Sequence, residues 1–116
     1  VTAASGWDEV AERKRVRPAL AGSYEALFHQ TGIERFMLPL RVKNAATQTL
    51  MQPHLERAIG VIYAPETERQ SHYFHACLPQ QFDAMLYFDQ THAVKPLELS
   101  SHWVNGEAPE TFPLGI

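Results

Sequence analysis

Cysteine, clustered glycine and long apolar runs are what this sequence has least of. Cys77 stands alone among 116 residues, so the chain has neither an intramolecular disulfide nor a cysteine-based zinc cluster. A reducing cytoplasm is a compatible compartment for such a chain. The six glycines are scattered, which leaves no glycine-rich loop to cradle a phosphate. No apolar run approaches the roughly 18 residues of a membrane span, and no basic-then-apolar opening marks a secretory signal. A basic excess is missing too: 10 Lys and Arg face 13 Asp and Glu, for a net charge of −3 and a pI near 6.0. That balance argues against a general nucleic-acid or anionic-membrane binder. The expected setting is cytoplasmic, with neither nucleic acid nor membrane as partner.

What is present is enough apolar material for a core, at 45% of residues, in a chain of at most one domain. A chain of this size can bury a little over about 60% of its unfolded surface, so independent folding is possible without being guaranteed. The first residue is Val1 rather than Met, which fits the edge of a longer protein.

The first 17 residues are polar and irregular. Arg13, Lys14, Arg15 and Arg17 could hold an anion, but Asp8, Glu9 and Glu12 beside them favour a solvated face. Ser23 can cap a helix in which Tyr24, Leu27 and Phe28 share one face, and Gly32 supplies a left-handed stop. Three short apolar runs follow: Phe36-Met37-Leu38, then 58–63 (AIGVIY), then 84–88 (AMLYF). The last two are nearly continuous, as expected of strands covered on both faces. Pro39 pushes the first run towards a sheet edge or strand end. Residues 45–52 favour a helix closed by Pro53, and 65–81 read equally well as helix or loop. Strand, crossover, strand, crossover, strand predicts an α/β fold with parallel pairing. The expected architecture is part of a mostly parallel sheet flanked by helices, incomplete on its own because an edge strand stays unpaired. Residues 96–116 read as an extended tail, which Trp103 and Phe112 could pin across the body.

The densest polar cluster lies at 65–75, just beyond the most strand-like run, and ligands of open α/β sheets bind outside the carboxyl ends of strands. Glu66, Arg69, His72 and Tyr73 offer a base, an anion partner, a general acid/base and a phenol donor. On a helix, Glu66, Arg69 and Tyr73 would share a face. The alternative is an exposed helix with a Glu66–Arg69 pair worth roughly a few tenths of a kcal/mol. His72 and His75 are too few for zinc, which wants at least about three protein ligands, so no metal or other cofactor is expected. A nucleophile finds little support. There is no GxSxG elbow, Ser71 and His72 are adjacent rather than facing, and Cys77 reads as apolar filler. On residues alone, the chain is an α/β piece with one plausible polar edge and no identified reaction.

Several stretches together resemble the C-terminal part of the erythromycin esterase family. They are VTAASGWD at 1–8 with KRVRPAL at 14–20, GSYEALFH at 22–29, and above all ERAIGVIYAPETERQSHYFHACLPQQFDAMLYFDQTHAVKPL at 56–97. The closing ETFPLGI at 110–116 also resembles the family's ending. The resemblance implies an α/β family that hydrolyses esters, best known for opening the macrolactone of erythromycin and so conferring antibiotic resistance. It implies a histidine general base for water, supported by glutamate and a second histidine without a metal, all in motifs upstream of the matched region. No catalytic residue is then expected within the chain. Glu66, Arg69, His72 and Tyr73 remain candidates for a supporting or substrate-pocket role, with Thr2 and Ser5 as further wall residues. The implied partners are a small-molecule ester and the missing N-terminal half of the same protein. A stand-alone binding or regulatory module, recognising its ligand along 66–73, is the competing reading.

Overall fold

Local chemistry sets the first helix. Ser23 adopts an extended backbone and its hydroxyl accepts the Ala26 amide at 3.1 Å, capping α1 (Tyr24–His29). Gly22 and Gly32 bracket the helix at positive φ, 84° and 70°, where a Cβ would be strained. The computed structural model describes residues 1–94 and 97, so the expected tail beyond 95, with Trp103 and Phe112, lies outside the described residues apart from Leu97.

Two short strands, β1 (Thr2–Ala3) and β2 (Glu12–Arg13), pair near the N-terminus. After α1 come β3 (Arg35–Pro39) and α2 (Ala45–Leu50). Asn44 and Thr47 close a reciprocal capping box at the start of α2, each side chain accepting the other's amide at 3.0 Å. Then follow β4 (His54–Arg57), a 3-10 turn at Pro65–Thr67, α3 (Glu68–Ser71), β5 (Tyr73–Ala76), α4 (Leu78–Gln81) and β6 (Ala84–Phe88).

The chain is therefore a small mixed helix-and-strand structure, but its ladders differ from those expected. Among the described residues there are three two-stranded ladders, β1–β2, β3–β6 and β4–β5, and each is antiparallel. The expected parallel association of three apolar runs is not what these residues form. The first and third runs are strands, yet they pair with each other in antiparallel register, Met37 opposite Leu86 and Pro39 opposite Ala84. The middle run, 58–63, joins no strand. Parallel pairing survives as isolated bridges, Ala4 with Ile62 and Ser23 with Leu55. Pro39 is the last residue of β3, where its missing N–H costs no ladder bond.

One core cluster holds the elements together: Tyr24, Phe28, Leu40, Leu50, Ala76 and Leu78. Phe36 and Tyr87, opposite one another across the β3–β6 ladder, meet Phe28 at 5.5 and 5.4 Å between ring centroids. Tyr24, fully buried, hydrogen-bonds at several points. Its hydroxyl donates towards the Leu50 and Ala76 carbonyls at 3.0 and 3.1 Å and accepts the Leu78 amide at 3.2 Å. Burial, chiefly, pushes this phenol above its ordinary pKa. The other face of the β3–β6 ladder is open: Met37 is 64% exposed, Leu86 63% and Phe88 57%.

Candidate functional site

The segment 58–64 passes between two fixed partners. On one side, the Ala4 amide donates to Val61 O at 2.8 Å and the Tyr63 amide donates to Ala4 O at 2.9 Å. This is a single parallel bridge, so the chain at 4 and the chain at 62 run in the same direction. On the other side stands His72. The Ala64 amide donates to its Nε2 at 3.0 Å, and its Nδ1 lies 3.2 Å from Ala58 O. An accepting Nε2 places the proton on Nδ1, which then donates to Ala58 O. The Ala58 amide in turn donates to His72 O at 2.8 Å, and the Tyr63 ring packs on the imidazole at 5.3 Å.

Where the bridged segments end, they border a cavity of about 310 Å³ lined by Ser5, Lys14, Arg15, Tyr63, Pro65 and Glu66. Lys14 Nζ donates to Ser5 Oγ and reaches Tyr63 O at 3.4 Å. Beside the cavity, Arg17 Nη1 donates to Pro65 O at 3.0 Å, and the Arg17 amide donates to the Tyr63 hydroxyl at 3.1 Å.

The four residues singled out in the sequence separate. Glu66, in the 3-10 turn, is exposed on the cavity rim, and Arg69, in α3, is exposed with no ion pair to Glu66. His72 and Tyr73 are both buried, at 7% exposure. The Tyr73 hydroxyl accepts the Leu20 amide at 2.9 Å, and its ring lies 5.8 Å under the Arg57 guanidinium. A single helical face for Glu66, Arg69 and Tyr73 does not form, because the segment divides into a 3-10 turn, one turn of helix and β5. The lone pair of His72 that a general base would use is occupied by Ala64. His75, on β5, is exposed, whereas His72 is buried.

Glu68, between the exposed Thr67 and Arg69, is buried and takes Arg57 Nη1 at 3.1 Å, with Arg17 Nε at 3.9 Å. Sequence reasoning missed this role, and only the inward turn of α3 discloses it. Lys14 was visible in the basic run, but nothing local distinguished it from Arg13.

A second polar group lies at the far end of β6. Asp89 Oδ1 is 2.5 Å from His29 Nδ1 and accepts from the Tyr87 hydroxyl at 2.7 Å. The hydrogen bond from His29, then that from Tyr87, holds the Asp89 carboxyl below its ordinary range. Burial, then the bond to Asp89, pushes Tyr87 up to about 12. His29 is exposed while Tyr87 and Asp89 are half-buried, and none of them borders the Ser5–Lys14 cavity.

Residues 1–91 match the family model described as erythromycin esterase. The chain belongs to the erythromycin esterase family. The match takes in both bridged segments and every residue bordering the cavity. No solved structure matches the chain. Within this erythromycin esterase sequence, no helix among the described residues is long and apolar enough to cross a membrane.

Proposed function

We propose that this chain is the C-terminal region of a cytoplasmic ester hydrolase. On this reading it forms one wall of the substrate cavity, and the rest of the domain supplies the histidine that activates water. The observation that carries the reading is the open face of the β3–β6 ladder, where Met37, Leu86 and Phe88 stand more than half exposed. Both strands alternate, turning Phe36, Leu38, Met85 and Tyr87 to the core while no other described element covers the opposite face. A sheet bare on an apolar face is a surface made for further packing. The same holds at 58–63, an apolar run with Val61 65% exposed and, among the described residues, a single bridge. Further strands added at Ala4–Ile62 would extend a parallel sheet there, with Glu66 and Ser5 at its carboxyl end.

The one buried histidine among the candidates supports an external base: both ring nitrogens of His72 are committed, to Ala58 O and the Ala64 amide, which leaves it no lone pair for water. In the proposed enzyme Glu66 and Arg69 are substrate-side groups, while His72 and Tyr73 hold the wall through the Ala64 and Leu20 amides. The substrate is a small ester, with the lactone of a macrolide as the family's named example and antibiotic resistance as its consequence.

The test joins this chain to the N-terminal part of an erythromycin esterase family member and follows hydrolysis of 4-nitrophenyl acetate and of erythromycin. Turnover of 4-nitrophenyl acetate by the joined protein, with none by the chain alone, is expected, and erythromycin reports whether the amine-bearing macrolide is taken as well. Undiminished turnover by the chain alone would contradict the proposal, and so would an inert but folded joined protein.

A further inference from the structure

We propose that the Ser5–Lys14–Arg15 cavity binds an anionic group, so that the ester this pocket favours carries a carboxylate or phosphate rather than an amine. The inference rests on the reading of this cavity as part of a substrate pocket and adds its charge preference.

The basic run 13–17 is divided by the fold. Arg17 is satisfied by Pro65 O and lies within reach of the buried Glu68. Lys14 and Arg15 instead line the cavity. Among the described residues, neither has a carboxylate within ion-pair distance, and the partners of Lys14 Nζ are neutral oxygens, Ser5 Oγ and Tyr63 O. An ammonium has three N–H donors, so at least one remains for a ligand. Ser5 Oγ accepts from Lys14, which leaves its own proton free to donate into the cavity. Half-buried Lys14, exposed Arg15 and the Ser5 hydroxyl thus present donors around one space. Against them stands a single acid, Glu66 on the rim, so the lining carries two positive charges and one negative.

An anion entering here gains charge-assisted hydrogen bonds, which are about twice as strong as neutral ones. A cationic amine meets two like charges and one opposite. Glu66 can accept from a hydroxyl of the same ligand, so a hydroxylated acid suits the lining better than a bare one. The volume of about 310 Å³ lies at the small end of ligand sites, which are roughly 300–1,000 Å³.

The probes are monomethyl succinate (anionic), dimethyl succinate (neutral) and acetylcholine (cationic), titrated into the isotopically labelled chain while the amides of Ser5, Ala64 and Glu66 are followed by NMR. Saturable shifts with monomethyl succinate alone are expected, and Arg15→Gln should weaken that response about tenfold. Among the described residues Arg15 forms no side-chain hydrogen bond or ion pair, so its replacement is expected to leave the fold intact, which the unchanged amide spectrum of the variant checks, and Arg41→Gln serves as a remote control of equal charge. Phosphate as a fourth probe separates the two anion chemistries. Equal shifts from all three esters would overturn the proposal, as would an anion response indifferent to Arg15→Gln. These outcomes are independent of turnover. Anion binding by a chain that never supports hydrolysis would sink the hydrolase reading and leave this one standing, whereas a joined enzyme that hydrolyses without preferring anionic esters would do the reverse.

Discussion

The Nε2 of His72 accepts the backbone amide of Ala64 at 3.0 Å, and the other ring nitrogen closes on the Ala58 carbonyl. One imidazole thus fixes both ends of the segment that walls the cavity. His72 is a positioning residue in this arrangement. Replacing it with Ala removes two hydrogen bonds and leaves a void beneath Tyr63. The expected cost is about 2–4 kcal/mol in urea denaturation. The Ala64 amide should also lose protection from hydrogen exchange, which a purely global destabilisation would not single out.

Glu68 is 6% exposed and carries the contact between α3 and the Arg57 and Arg17 side chains. Glu68→Ala leaves Arg57, whose side chain is 17% exposed, with the Arg17 carbonyl and the Tyr73 ring but no carboxylate, and should cost about 3 kcal/mol, the lower end of the range for a buried pair. Glu66→Ala, two residues earlier and exposed, should stay within about 0.5 kcal/mol. Thermal or urea unfolding of both variants checks the contrast.

Glu56 titrates above its ordinary value of 4.5, first because it is partly buried and second because Glu25 is near. Glu25 adds to the problem: its Oε1 accepts the Arg57 amide at 3.0 Å while Oε2 is buried with no partner among the described residues. A carboxyl raised in the folded state contributes stability that is complete below its unfolded pKa and is lost as pH rises through the folded one. Stability should therefore fall as pH rises from about 4.5 through the raised value. Glu56→Gln should flatten that fall and melt higher than the parent at neutral pH. An unchanged pH profile in the variant would count against the Glu25–Glu56 repulsion.

At Asp89 the sign reverses. Its carboxyl is held low by His29 and then Tyr87, so its contribution is present above the ordinary value of 3.8 and disappears as pH falls through the lowered one. Asp89→Asn should lose stability at neutral pH and converge with the parent in strong acid. Melting curves across pH 2–7 would show the convergence or its absence.

Local signals made part of this fold legible. Ser23, Tyr24, Phe28 and Gly32 announce α1 because a cap, a helical spacing and a left-handed stop all act within ten residues. Residues 84–88 and Phe36–Leu38 were recognisable as strands by their apolar runs, but not their direction of pairing, which the neighbouring sequence does not encode. The 58–63 run misled because its conformation is set by His72, fourteen residues from Ala58, and by Ala4, which no local pattern reports. β4 escaped because HLER holds one aliphatic residue, and its partner YFHA lay inside a stretch that read as a polar edge. For the site, Glu66 could be reached from its place after an apolar run. The cavity's other side, Ser5 and Lys14, comes from about 50 residues away and needed the fold to bring it there.

The proposed hydrolase requires the exposed β3–β6 face to be an internal surface of a larger protein. The direct measurement is kcat/KM for ester hydrolysis by the chain alone, by the chain joined to a family N-terminal part, and by the joined protein carrying Leu86→Lys. Leu86 lies remote from the cavity and opposite Met37, so a lysine there disturbs the packing face and not the pocket. No turnover by the chain alone, turnover when joined, and at least about a tenfold loss with Leu86→Lys are expected. Equal turnover by all three would contradict that requirement.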